Sequence, residues 1–275
     1  MPRRTDNPLP AGLPRRLRMQ FILTRFITSL LRALGLREAV IHALAAMLRT
    51  RRHLFERFGS ARYSRPALYD MDRKLDEIIN RSGGYFVEAG AHDGYTQSNT
   101  YYLERFRGWR GVLVEPMREL ADEARRNRPG AVVFECALVP TEHPDAHVEM
   151  NFGDLFSNVE GGGRSRSWAA NGLVLGWREP RSEMVPARPL SRVLDAAGAG
   201  EIDLLSLDVE GYEAEALKGV EFARHAPAWI LVEMHDLNEG RATIGAVLGE
   251  RYVEHQQLSP LDVLYRRADI PAAAA

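Results

Sequence analysis

From Tyr85 onward, short apolar runs alternate with stretches of helical periodicity, and that alternation leaves the chain few folds to choose from. Candidate strands cover residues 85–89, 111–115, 131–136, 202–208 and 228–234, with helices at 99–107, 117–127, 212–219 and 237–248 between or after them. Strand–helix–strand repeats of this size close through right-handed crossovers into a mainly parallel sheet. Two further runs, 251–256 and 263–266, flank Ser259-Pro260 and read as an antiparallel hairpin at the sheet edge. The expected fold is therefore α/β and Rossmann-like, a mainly parallel seven-stranded sheet ending in an antiparallel C-terminal edge hairpin.

Charge divides the chain before this fold begins. The formal net charge is −1, yet residues 1–58 hold twelve arginines against Asp6, Glu38 and Glu56, which is +9 and leaves the remainder at −10. Residues 1–18 are rich in Pro and Arg, too polar to bury a core, and are expected to be a disordered basic tail. Residues 19–60 read as an amphipathic basic helical extension: Ile22, Leu23, Phe26, Ile27, Leu30, Leu31 and Leu34 share one side, while Arg18, Arg25 and Arg32 recur on the other. Such a helix can pack on the main domain or a second copy, or lie in an anionic membrane interface through residues 19–50, where each basic residue gains about 1 kcal/mol. Nucleic acid is not an expected partner, because the basic face lacks interleaved aromatics.

The arginines also break any run of about 18 apolar residues, so no spanning helix is expected. No charge-free core followed by a cleavage site marks a secretory signal. A single cysteine, Cys136, excludes an internal disulfide framework and a multi-cysteine zinc site. These features suit the cytoplasm, or the inner face of its membrane. Residues 61–275 form the expected catalytic domain. Within it, 151–190 loses periodicity around Gly161-Gly-Gly163 and reads as a variable lid or substrate loop.

Ligands of open α/β sheets bind at the carboxyl ends of the strands, so the residues after each strand are informative. After the first strand, Gly90 and Gly94 permit a tight turn around Ala91, with Glu88 placed to accept from a cationic amine. After the second, Glu115 stands where an acid can accept both hydroxyls of a ribose. A dinucleotide cradle would require glycines at 90, 92 and 95, but His92 and Tyr95 are there, and no phosphate-binding G-x-x-x-x-G-K-[ST] string occurs. A nucleoside carrying an amino-acid tail, adenosylmethionine, fits this set. A glycine turn of this kind also serves packing in unrelated α/β folds.

The strings Phe86-Val-Glu-Ala-Gly-Ala-His-Asp-Gly94, Ser98-Asn-Thr100, Gly108-Trp-Arg-Gly-Val-Leu-Val-Glu115-Pro116 and Asp203-Leu-Leu-Ser-Leu-Asp208-Val-Glu-Gly-Tyr-Glu213 resemble the FkbM-type methyltransferase family over residues 83–236. The resemblance implies a class I methyltransferase fold with S-adenosyl-L-methionine as donor. It also implies a hydroxyl acceptor on a sugar, glycolipid, polysaccharide or polyketide. By the same resemblance Glu88, Gly90, His92, Gly94, Ser98 and Glu115 contact the cofactor, Ala91, Pro116 and Asp208 complete that set, and Cys136 and Ala137 lie beside the adenine.

Asp208 and Glu210 follow one strand, and Glu233, His235 and Asp236 end the next. His235, Asp208 and Glu210 are the catalytic candidates, and two uses are open: Asp208 and Glu233 holding Mg²⁺ or another divalent cation that acidifies the acceptor hydroxyl, or His235 taking the proton as general base. Structural readings stand beside them. Asp208 can cap the next helix by accepting from the Gly211 or Tyr212 amide, and Glu210 and Glu213 can favour its positive end. Trp168, Trp177 and Tyr212 are candidates to stack on a sugar ring. An inactive membrane scaffold and a nucleic-acid methyltransferase are the alternative classes; the latter lacks an Asn-Pro-Pro-Tyr-like string after Leu207.

Overall fold

The computed structural model describes residues 37–152, 157–159 and 181–271. The tail 1–18, the amphipathic stretch 19–34 and the segment with Trp168 and Trp177 lie outside them. The described chain separates into two units after His53. In the first, residues 37–53 belong to helix α1 (Arg37–Arg57). Among the described residues, no helix is long and apolar enough to cross a membrane.

The second unit holds α2 (Met71–Ile79), β1 (Tyr85–Ala89), α3 (Tyr101–Arg107), β2 (Arg110–Val114), α4 (Arg118–Asn127) and β3 (Ala131–Phe134). After the four strands of a second sheet come α5 (Leu190–Ala197), β8 (Leu204–Leu207), α6 (Glu213–Leu217), β9 (Trp229–Glu233), α7 (Leu237–Leu248), β10 (Tyr252–Gln257) and β11 (Asp262–Arg267). The main sheet has the order β10-β11-β9-β8-β1-β2-β3. β1 pairs parallel with β2 and β8, whereas β11 pairs antiparallel with β9 and β10. This is the expected mainly parallel seven-stranded sheet with its antiparallel C-terminal edge hairpin.

Alternate residues of the central strands enter opposite layers, as the period of two requires. Val87, Ala89, Leu205 and Leu207 pack with Val193, Leu194, Ile244 and Leu248. Phe86, Leu113, Leu204 and Leu231 pack with Met71, Leu75 and Leu103. Burial on both faces explains why these runs are almost wholly apolar. The chain winds from β1 outward to β3 and returns to β8 on the other side of β1, so the tips of β1 and β8 form the switch point of the sheet.

The second sheet has the order β4-β7-β5-β6, from β4 (Ala137–Leu138), β5 (His147–Phe152), β6 (Ser157–Val159) and β7 (Arg181–Arg188). It corrects part of the loop expected at 151–190, since residues 181–188 form an eight-residue strand. Ser182, Glu183 and Met184 are exposed there and only Val185 is fully buried, so the apolar alternation is too weak to read. Pro186 is tolerated because it pairs with β5 alone; the ladder with β4 begins one residue later, at Ala187.

Candidate active site

The turn after β1 is built by its neighbours. The amides of Gly90 and Ala91 both donate to the last carbonyl of β2, that of Val114, at 3.1 Å, and the Gly94 amide donates to Ala91 at 2.8 Å. Gly90 has φ +81°, and a Cβ there would lie 1.7 Å from the Asp208 carbonyl oxygen. The glycine is required by the adjoining strand tip. A Cβ at Gly94 would meet Arg128 Cγ at 2.9 Å and Ala124 Cα at 3.0 Å. His92 sits between them in the left-handed region, φ +50°, a strain that persists where the surroundings hold it. Asp93 accepts from the Tyr95 and Thr96 amides. Burial alone would raise its carboxyl, but His92 and those amides bring it down to about 2.

Glu115 ties this turn to β2. Its buried carboxylate accepts from the His92 amide through Oε2 and the Met117 amide through Oε1, each at 2.9 Å. One bond per oxygen leaves each a further lone pair, and burial pushes the carboxyl above its usual range. Two hydroxyl donors, as on a ribose, match what this group lacks. Pro116 follows half-buried. Cys136 and Ala137, just beyond β3, are both buried, and burial pushes the Cys136 thiol up to about 12. These residues fit an adenosyl group, apolar matter beside a diol acceptor.

Glu88 departs from its expected role. Its oxygens already take the Ser98 hydroxyl at 2.8 Å, the Asn99 amide at 2.7 Å, the Thr100 hydroxyl at 2.7 Å and Arg128 Nη1 at 3.4 Å. A carboxylate surrounded by four protein donors holds the segment 98–100 in place and is not the free acceptor of an amine. Ser98 is turned inward with it, accepting from the Tyr101 amide at 3.1 Å. Arg128, which the sequence reading did not single out, is the hub of this network; a lone arginine after a polar helix carries no local signal of burial.

The acidic tip lies across the switch point. Asp208 follows β8 and Glu233 ends β9, and each lies close enough to the other to perturb its titration. Burial first raises both carboxyls above the usual carboxylate range, joined at Asp208 by the charge of Glu233 and at Glu233 by that of Glu210. Oδ1 of Asp208 is buried without a hydrogen-bond partner among the described residues. Glu210, left-handed at φ +58°, brings Oε2 to 3.4 Å from Nε2 of His235. The Glu210 carboxylate raises the imidazole pKa above 6.5 against the opposing effect of partial burial.

Two readings of this tip are corrected. Asp208 does not cap α6, which has no side-chain cap; Glu213 Oε1 instead fastens the preceding turn, accepting from the Val209 and Gly211 amides at 3.1 and 2.9 Å. Asp236 caps α7 through the Asn238 and Glu239 amides. Nor does the structure supply a divalent-cation site there: among the described residues, no three His, Cys, Asp or Glu side chains form a metal-holding group.

A model of the methyltransferase FkbM domain matches residues 88–258, from the acid of the first turn to the edge hairpin. The chain belongs to the FkbM methyltransferase family. It is thus a member of an adenosylmethionine-dependent methyltransferase family, and its motif residues fall on the switch point of the sheet. No curated protein matches the chain. Among solved structures, it is similar to a TehB-like SAM-dependent methyltransferase from Corynebacterium glutamicum, with 13% identity over 83% of this chain and 98% of that one and a TM-score of 0.39. It is also similar to the 1,6-didemethyltoxoflavin-N1-methyltransferase of Burkholderia thailandensis, with 13% identity over 83% and 90% of the two chains and a TM-score of 0.39. A SAM-dependent methyltransferase from Aquifex aeolicus is 11% identical over 74% and 92%, also at 0.39.

Proposed function

We propose that this FkbM protein methylates a hydroxyl oxygen on a sugar, glycolipid, polysaccharide or polyketide-type acceptor. The observation that carries the reading is the contact of Gly90 with Asp208, which sets the donor turn directly against the tip where acids and His235 gather. Adenosylmethionine supplies a methyl group already activated on sulfur, so most of the protein's contribution is positioning. On the donor side, Glu115 accepts the ribose hydroxyls while the 90–94 turn passes beneath the tail.

On the acceptor side, His235 is the general base. Its Nε2 faces Glu210, which orients the ring as a carboxylate orients a catalytic imidazole and leaves Nδ1 to take the hydroxyl proton. The ring is 37% exposed and so can be reached by a substrate. The charges acting most strongly on Asp208 are Glu233, Glu210 and Glu213, all acidic, a setting that suits a neutral polyol and disfavours a phosphorylated acceptor. The basic segment 19–50 would hold the enzyme to the inner membrane face or to a second copy.

The test is transfer of labelled methyl from adenosylmethionine to a glycolipid and saccharide extract, followed by structure determination of the product. The reading expects an oxygen-bound methyl. Label found on nitrogen, or no transfer by protein that binds adenosylhomocysteine, would overturn it.

A further inference from the structure

Arg128 is completely buried just beyond the last residue of α4. Its guanidinium donates through Nε to Glu104 at 2.6 Å and through Nη2 to the Thr100 hydroxyl at 2.9 Å. Nη1 reaches Ser98 Oγ and the Gly94 carbonyl, both at 3.1 Å, and Glu88 at 3.4 Å. The rings of Phe86 and Tyr101 lie 5.0 and 5.5 Å from its Cζ. The residue before it adds a parallel contact, since Asn127 Nδ2 donates to the Asp93 carbonyl at 2.8 Å. Two consecutive residues at the end of α4 therefore hold two consecutive carbonyls of the donor turn. Gly94 is a glycine for the same reason, since a Cβ there would strike Arg128 Cγ.

We propose that Arg128 is a positioning residue for the donor, pinning the 90–100 segment from beneath through Gly94, Ser98, Thr100 and Glu88. The inference rests on the donor site assigned above. Arginine is suited to it because one planar fork serves several acceptors fixed in different directions, whereas a lysine ammonium is a point charge with fewer, unfixed donors. Glu88 acts with it, so the acid of the turn motif organises the site without touching the donor. A buried charge must be paired, which explains why Glu88 and Glu104 both converge on one cation.

The experiment is calorimetric titration of adenosylhomocysteine into the full chain as wild type, Arg128→Lys, Arg128→Met and Leu248→Ala, with thermal unfolding of each. Leu248 is buried on α7, away from the turn, and controls for lost stability. Arg128→Lys is expected to lose about tenfold or more in affinity, about 1.4 kcal/mol, while Leu248→Ala binds as wild type. Should the arginine variants fail to fold, Asn127→Ala, which removes one turn contact and no charge, is expected to weaken binding several-fold. Unchanged affinity in a folded Arg128→Lys, or in Asn127→Ala where the arginine variants do not fold, would overturn the proposal. Absence of binding by the wild type overturns the donor site itself, and amide exchange then decides the pinning: faster exchange of residues 91–98 in Arg128→Lys than in Leu248→Ala supports it, and equal exchange refutes it.

Discussion

The carbonyl oxygen of Asp208 stands 1.7 Å from the place a methyl group on Gly90 would occupy. The donor turn and the acidic tip are thus in backbone contact, and neither can move without the other. Gly90→Ala combines that overlap with an unfavourable left-handed φ, each costing roughly 1–3 kcal/mol. It is expected to lower the melting temperature and to weaken adenosylhomocysteine binding, as read by thermal unfolding and calorimetry on the same samples.

Glu115 presents one unused lone pair on each oxygen to the donor side. Hydrogen bonds to a charged group contribute about 1.5–3 kcal/mol each, so losing two should weaken adenosylhomocysteine by about two orders of magnitude or more in Glu115→Ala. Glu115→Gln keeps the shape and part of the acceptor capacity, and should fall between. Equal affinity in all three proteins would remove Glu115 from the site.

The pH profile of methyl transfer should report His235. Its pKa is raised by Glu210, so the neutral, proton-accepting form grows in only above 6.5, and the rate should rise with pH and level off beyond the raised value. Glu210→Gln removes the main cause, and the rising limb should move to lower pH. A limb that stays in place in that variant would assign the titration to another group.

Burial and the neighbouring acids raise the Asp208 carboxyl well above its usual range, and among the described residues no three His, Cys, Asp or Glu side chains form a metal-holding group. Exhaustive chelation should therefore leave the rate of transfer unchanged. Asp208→Asn imitates the protonated carboxyl, and because a buried acid with a raised folded pKa costs stability once pH exceeds its unfolded value, this variant should melt higher than wild type at pH 8. A lower melting temperature there would mean that Asp208 is ionised.

A second buried acid tests the same sign far from the tip. Asp72 on α2 is 1% exposed, and burial, only partly offset by Arg65 at 3.9 Å, raises its pKa to about 6. Stability is lost as pH climbs from the unfolded value of about 3.9 through about 6, amounting to roughly 2–3 kcal/mol at neutral pH. Asp72→Asn should raise the melting temperature at pH 7.5 and give no gain at pH 4.

The central strands could be read because their side chains are buried on both faces, which leaves apolar runs such as Leu204–Leu207 with little ambiguity. β7 and α2 were missed for the opposite reason. Ser182, Glu183 and Met184 are exposed, and α2 places Asp72 and Asp76 among its buried residues, so neither element shows a clean apolar pattern. Gly90, Gly94, Glu115, Asp208 and His235 were legible as residues that converge at strand tips, since strand ends are local features and the sheet rule supplies the rest.

What each polar side chain does there is another matter. From the sequence, Glu88 and Asp208 were both acids at the end of a strand, Glu213 was an acid starting a helix, and Arg128 was a surface-type residue before a proline. Tertiary structure made Glu88 the partner of Arg128, 40 residues away, tied Glu213 to the turn before its helix, and set Asp208 against Glu233. Sequence alone determined the strands of the main sheet and the donor turn, because periodicity and glycine geometry act over a few residues. The assignment of charges depended on which distant groups share a dry interior, where every ion must find a partner or a proton, and only the folded chain decides that.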